Sequence, residues 1–390
     1  MIVITGWGVV SAAGTTREQF CAALREGTSG IVPTAEPSGL AAGVGDFGVK
    51  QYADARALRR MARLSQMGLA AAKQALSQGM PELAYPRERC GIVLGTGLGT
   101  LDETMKFIIG CCQSDPAQAS PLLFPSSVMN AAAGQIALEL GFRGPNTTIN
   151  HREYSPFGAF AAAIDLLRLQ RADALLVGGL DELTEPARHG YRRHGGLTES
   201  VLRPYSHDRD GTVLGEGAAV FLLERADDAA RRGARPLAGL ASFASNGEER
   251  SLLGWRGRHE QAVEAIRQAI FSAGCTPEAI DYVAGAGNGL GLDTLEAKAL
   301  AGVFGHRPVA CSSIIGQTGE FMAAGALRIA AGLFALEQKW LPGTVGFSEP
   351  DPEAPIPGLV RASRPAPVKR VLIPSLAQGG ANAALVLTSA

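Results

Sequence analysis

Gly144-Pro145-Asn146-Thr147-Thr148-Ile149-Asn150-His151-Arg152-Glu153 leads straight into a small-residue, apolar stretch running from Phe157 to Leu169. The residues around Thr147 to Asn150 read as a short strand and the following stretch as a helix, with Ser155 as its N-cap and Pro156 at the first helical position. Glu153 then lies at the positive end of a helix that starts just after it, where an anion gains about 0.3–1 kcal/mol, more if partly buried. The same alternation extends in both directions. Strand-like runs at Cys90 to Leu94, Ala174 to Gly179 and Ala218 to Leu223 interleave with helical runs at Met61 to Gln78, Glu103 to Cys112, Glu260 to Ala273 and Gly325 to Glu337. Such alternation predicts α/β layering, and 49 glycines with only 6% aromatics point to close helix–sheet packing and many sharp turns.

Composition narrows the function. With 390 residues, 46% hydrophobic content and a net charge of −1, the chain can bury one large core or two coupled ones. It has no basic stripe of the nucleic-acid-binding kind. No apolar run approaches the ~20 residues of a membrane span, and Met1 to Thr5 reads as a strand with no charged and apolar leader before it, which predicts a cytoplasmic protein. Six cysteines without metal-ligand spacing fit a reducing compartment. Cys21, Cys90, Cys111, Cys112, Cys275 and Cys311 all read as packing residues, and neither a metal site nor a cofactor is expected. The charged segment Glu224 to Arg235 divides the chain into residues 1–230 and 231–390. Proline-rich Glu349 to Pro367 is expected to run over the surface before two last strands, Val371 to Pro374 and Ala383 to Leu387.

Several glycine-bearing landmarks occur in a fixed order: Ile4 to Gly14, Leu94-Gly95-Thr96-Gly97-Leu98-Gly99, Asn130 to Gln135, Gly144-Pro145-Asn146, Arg203-Pro204-Tyr205 through Gly217, and Gly379-Gly380-Ala381-Asn382. In that order they resemble the β-ketoacyl synthases of the thiolase superfamily over nearly the whole chain. The resemblance implies a five-layered αβαβα fold of two similar halves, although no internal duplication is visible in the residues themselves.

It also implies where the catalytic groups belong. The nucleophilic cysteine falls on Glu153, the first histidine on Gly285, the second histidine on Gln317 and the lysine upstream of it on Ser312. The gating phenylalanine of the C-terminal glycine loop falls on Gln378. Chain elongation needs a thiolate to carry the acyl chain and donors to stabilise the charge that develops as the extender loses carbon dioxide. Glutamate cannot form a stable thioester, and no imidazole stands at an expected position. His151, two residues from Glu153, could tune that carboxylate but reads more simply as structural.

A synthase fold emptied of its catalytic groups resembles the chain-length factors, inactive partners of ketosynthases in type II polyketide and aryl polyene systems. That resemblance implies a heterodimer with an active β-ketoacyl synthase subunit, served by acyl carrier protein. Thr147, Thr148, Ile149 and Asn150 would lie at the dimer seam. Leu98, Met105, Phe107, Ile108, Ile109, Leu123 and Phe124 would line the acyl tunnel, with Gln378 at its gate. Two other readings stay open: a malonyl-carrier-protein decarboxylase of the loading-synthase kind, and an acyltransferase built on Ser312, Ser313 or His151.

Overall fold

The structure, a computed structural model, describes residues 1–34, 39–113, 120, 123–252, 254–255 and 257–390. Its sheet contains, in chain order, β1 (Ile2–Ser11), β2 (Cys90–Gly95), β3 (Asn146–Ile149), β4 (Ala174–Asp181), β5 (Gly217–Arg225), β6 (Ala238–Gly247), β7 (Tyr282–Ala284), β8 (Ala310–Ser312), β9 (Arg370–Leu376) and β10 (Ala381–Ser389). Across the sheet they stand in the order β8-β7-β9-β10-β6-β1-β5-β4-β2-β3. Outward from the central pair β1 and β6, each side meets its own first, fifth, fourth, second and third strand. The directions repeat too: the first and fourth strands of each side run antiparallel to the fifth, and the second is parallel to both the third and the fourth. A duplication that the residues do not reveal is therefore plain in the topology. The two sides join through antiparallel pairing of Ile2–Ile4 with Ala238–Leu240.

The helices around these strands include α1 (Arg63–Gly79), α2 (Leu101–Gln113), α3 (Ala131–Leu140), α4 (Ser155–Arg168), α5 (Glu185–Arg193), α6 (Glu260–Ser272), α7 (Gly291–Phe304) and α8 (Gly325–Gln338). Three apolar cores separate the layers. One lies between α1 and the first five strands, one between α6, α7 and the last five, and the largest surrounds α4 and α8 between the two sets. That is the αβαβα arrangement implied by the resemblance. Strands buried on both faces explain the continuous apolar runs read from the sequence. Glycine permits the close approach: a Cβ at Gly6 would lie 2.1 Å from the carbonyl oxygen of Ala75 on α1. Because α4 and α8 are enclosed, whatever stands at their N-termini is shielded from water.

Candidate functional site

Glu153 belongs to a 3-10 turn, Arg152–Tyr154, between β3 and α4. This turn corrects the expected cap. Tyr154 takes the N-cap position without a side-chain bond, and Ser155 is already the first helical residue. The Ser155 hydroxyl instead accepts from the backbone N–H of His151 at 2.8 Å and lies 2.7 Å from the Arg152 carbonyl. Arg152 has φ 50°, a left-handed conformation that an arginine adopts only under tertiary constraint. The constraint delivers Glu153 inward, 7% exposed. Its Oε2 accepts from the backbone N–H of Gln378 at 3.1 Å. Burial raises the carboxyl pKa, while its own amide, Arg152 and the Gln378 amide hold the rise back. His151 is exposed and packs edge-on against Tyr154.

Gly285 lies in the loop between β7 and α7. Asp293 and Glu296, three apart and therefore on one face of α7, fasten this loop. Glu296 accepts from Ala286 N–H at 2.9 Å, and Asp293 from Asn288 N–H at 2.6 Å. Tyr205 completes the closure: its hydroxyl is 2.5 Å from Glu296 Oε2 and accepts from Gly287 N–H at 2.9 Å. A Cβ at Gly285 would lie 2.2 Å from that hydroxyl, and a Cβ at Gly287 2.4 Å from the ring. The space into which a side chain at 285 would project is thus filled by a tyrosine some eighty residues earlier in the chain. Burial pushes the Asp293 carboxyl up to about 6.

Gln317, the position assigned to the second histidine, does not reach Glu153. Its side-chain amide donates to the carbonyls of Ala23 at 2.8 Å and Thr28 at 3.3 Å, stapling the N-terminal segment. Glu320 faces the site instead, buried beside Glu153 and Arg328 at the edge of a small cavity. Burial and the Glu153 charge push its carboxyl up to about 8, opposed by Arg328. Gln317 follows Gly316, and Glu320 follows Gly319 three residues later; of the two it is Glu320 that lines the cavity with Glu153. Ser312, assigned to the lysine, shares a 2.8 Å bond with Tyr282; Ile315, the position moved by the same three residues, is also uncharged and buried. Ser313 Oγ bonds the Gly287 carbonyl at 2.5 Å, which leaves its proton engaged. The buried cation that lines the small cavity with Glu153 and Glu320 is Arg328, on α8, held over the Phe157 ring at 5.5 Å and bonded to the Pro374 carbonyl.

A cavity of about 510 Å³ approaches this site, lined among others by Leu98, Tyr191, Trp255, Glu320, Met322 and Gln378. Asp181 braces its wall, accepting from Thr96, Leu98 and Ala323 at 2.7–3.0 Å. Of the residues assigned to the tunnel, Leu98 and Gln378 line this cavity. Met105, Phe107, Ile108, Ile109, Leu123 and Phe124 do not. Ile108 and Ile109 are 46% and 44% exposed and Phe124 58%, with the Phe107 and Phe124 rings 5.7 Å apart. They form an apolar surface around α2, with Val128 and Met129 also exposed. Thr147, Thr148 and Ile149 lie in β3 at the end of the sheet, half-buried, whereas Asn150 lies just past the strand, its amide on the carbonyls of Thr96 and Gly97, both at 3.0 Å. Cys112 is exposed, contrary to its reading as a packing residue; Cys90 and Cys311 are buried.

The description of the β-ketoacyl synthase N-terminal domain matches residues 1–229, and that of its C-terminal domain residues 237–348. A putative polyketide beta-ketoacyl synthase 1 of Streptomyces virginiae is 31% identical over 100% of this chain and 98% of its own. The 3-oxoacyl-[acyl-carrier-protein] synthase 2 of Coxiella burnetii is 28% identical over 99% of this chain and 98% of its own. In three dimensions the ishigamide ketosynthase/chain length factor superposes with a TM-score of 0.90 at 28% identity, over 100% of this chain and 99% of that one. With the duplicated sheet, the enclosed α4 and α8 and these full-length matches in agreement, the chain belongs to the β-ketoacyl synthase family.

Proposed function

We propose that this chain is a non-catalytic, chain-length-factor-type subunit that pairs with an active β-ketoacyl synthase and helps shape the space in which its acyl or polyketide chain grows. One observation carries the reading: the nucleophile's position holds Glu153, a carboxylate already bonded to Gln378, in a site where Tyr205 fills the room at Gly285 and Glu320 supplies an acid where an imidazole is needed. A thioester cannot be held here, and no imidazole stands where the charge that develops when malonate loses carbon dioxide would need one. The likeness to a ketosynthase/chain length factor structure supports the pairing, as do the edge of β3, open among the described residues, and the apolar surface around α2.

The partner implied is a cysteine-bearing synthase, with acyl carrier protein serving the pair. The seam would run along Thr147 to Asn150, and the apolar surface of α2 would become tunnel wall only once the partner covers it. Incubation of the isolated chain with acyl and malonyl carrier protein, followed by intact-mass analysis, is the test of inactivity. No adduct and no carbon dioxide release are expected. Release of carbon dioxide would instead establish a decarboxylase, and a stable acyl adduct an acyltransferase. Co-expression with a cysteine-bearing synthase should yield a one-to-one complex by native mass spectrometry.

A further inference from the structure

Helix α2 carries the apolar surface of Ile108 and Ile109, yet none of its own residues is buried. Packing alone therefore holds it weakly, and its placement depends on polar anchors. One is Thr104, whose hydroxyl donates to the Ser127 carbonyl at 2.8 Å, but Ser127 lies in the same exposed stretch as Phe124, Val128 and Met129. A second anchor reaches the core. Glu182, directly after β4 and 5% exposed, accepts from the Asp102 N–H through Oε1 and from the Leu64 N–H through Oε2, both at 3.3 Å. Asp102 and Leu64 are the second residues of α2 and α1, so a single carboxylate caps two helices. The residues before the helices offer no substitute: Ala62 has no side-chain oxygen, and Thr100 donates its hydroxyl to the Ser126 carbonyl at 2.5 Å. Because α1 is buried at Leu64, Met67, Leu69 and Ala75 among others, it is the fixed member of the pair.

We propose that Glu182 is the positioning residue of α2: its two carboxylate oxygens, one on each helix N-terminus, fix α2 against α1 and so fix where the apolar surface of Ile108, Ile109 and Phe124 stands. Each oxygen has its own amide, so a side chain with a single accepting oxygen can serve only one helix. Glu182 also lines the 510 Å³ cavity, which puts the bridge between that cavity and the apolar surface. What α2 then meets rests on the proposed pairing with a synthase; the bridge itself does not.

Hydrogen exchange on the full isolated chain, resolved at single amides, tests the bridge. In Glu182→Ala the Asp102 and Leu64 amides should both exchange about tenfold faster or more. The Gly97 and Leu98 amides, bonded to the neighbouring Asp181 at 2.9 and 3.0 Å, should keep their wild-type rates. Glu182→Gln keeps the shape and one accepting oxygen, so one of the two amides should return to within about threefold of the wild type while the other stays fast. A role in packing alone would restore both. If Glu182→Ala does not fold, Glu182→Gln decides: one fast amide supports the bridge, and two at wild-type rates overturn it. In the reconstituted complex Glu182→Ala should spread the product lengths seen by mass spectrometry, because a wall helix released at its first turn no longer stops the chain at one place. Unchanged exchange at Asp102 and Leu64 would overturn the bridge whatever the products. Fast amides with unchanged product lengths would uphold the bridge and count instead against α2 as wall.

Discussion

The two ends of the sheet are topological equivalents treated in opposite ways. β8 and β3 are each the third strand of their half, and each pairs with a single neighbouring strand. Yet β8 is covered by the chain itself: Cys311 N–H donates to the Gly358 carbonyl at 3.0 Å, and Val360 N–H returns a bond to Cys311 at 2.8 Å. The proline-rich segment thus closes that edge. β3 has no such cover among the described residues. Helix α3 packs on β3, and the turn Phe124–Ser126 packs on α3, carrying the exposed apolar residues toward this end. An open edge invites pairing and is normally blunted or covered. The difference bears on the proposed pairing: the β8 end is already sealed, so of the two ends it is β3 at which the proposed partner is expected.

Breaking the sealed end should have the largest effect. A Cβ at Gly358 would lie 1.9 Å from the Val309 carbonyl oxygen, so Gly358→Val must displace the covering segment, and we expect it to destabilise the isolated chain by about 3 kcal/mol. Urea unfolding measures this. The open end should behave in the reverse manner. Phe124→Asp places a charge on a surface that water already reaches, so the isolated chain should change by no more than about 0.5 kcal/mol. In the complex the same substitution should weaken association by about 2 kcal/mol or more, read by native mass spectrometry or sedimentation. Equal effects at both ends, or association indifferent to Phe124, would break the comparison.

The layering was legible because strands buried on both faces leave continuous apolar runs, as at Ala174 to Gly179, and helices leave periodic ones. Glu153 was legible because Gly144-Pro145-Asn146 fixes its distance from a landmark. Glu320 was not, since Gly316 and Gly319 offer the same local pattern and only the path of the chain decides which successor faces inward. Tyr205 lay hidden within a landmark. Its reach into the site depends on a left-handed turn, φ 59°, and on contact with a loop eighty residues distant. The exposure of Ile108 and Phe124 was equally invisible, because an apolar residue reads alike whether its own core or a partner covers it.

Titration sharpens the contrast between the buried site and the exposed seam. Glu320 is raised from its ordinary value of 4.5 to about 8 by burial and by Glu153, against Arg328. A carboxyl whose folded pKa lies above its unfolded one favours the folded state most at low pH, and that contribution is lost as pH rises from about 4.5 through about 8. Glu182, raised to about 7, and Asp293, raised to about 6, act in the same direction. Glu320→Gln removes one of these groups while keeping its shape. Its stability should therefore fall less steeply than the wild type's over this window, by at most about 1.4 kcal/mol per pH unit. Denaturation across the pH range decides it, and parallel curves would mean that Glu320 is already ionised in the folded chain.

The smallest energetic effect belongs to the residues assigned to the tunnel wall, and it separates their two possible roles. A fully buried isoleucine cut to alanine costs about 2–5 kcal/mol. Ile108, at 46% exposure, has little packing to lose, so Ile108→Ala should shift the isolated chain by less than about 0.5 kcal/mol. If the partner covers α2 and makes it part of the wall, the same truncation opens room beside the growing chain, and the reconstituted complex should release longer products by mass spectrometry. Glu153→Ala, which changes no wall residue, should leave the length as it was. Longer products from Glu153→Ala with Ile108→Ala unchanged would move the proposed wall from α2 to the cavity lined by Leu98 and Gln378.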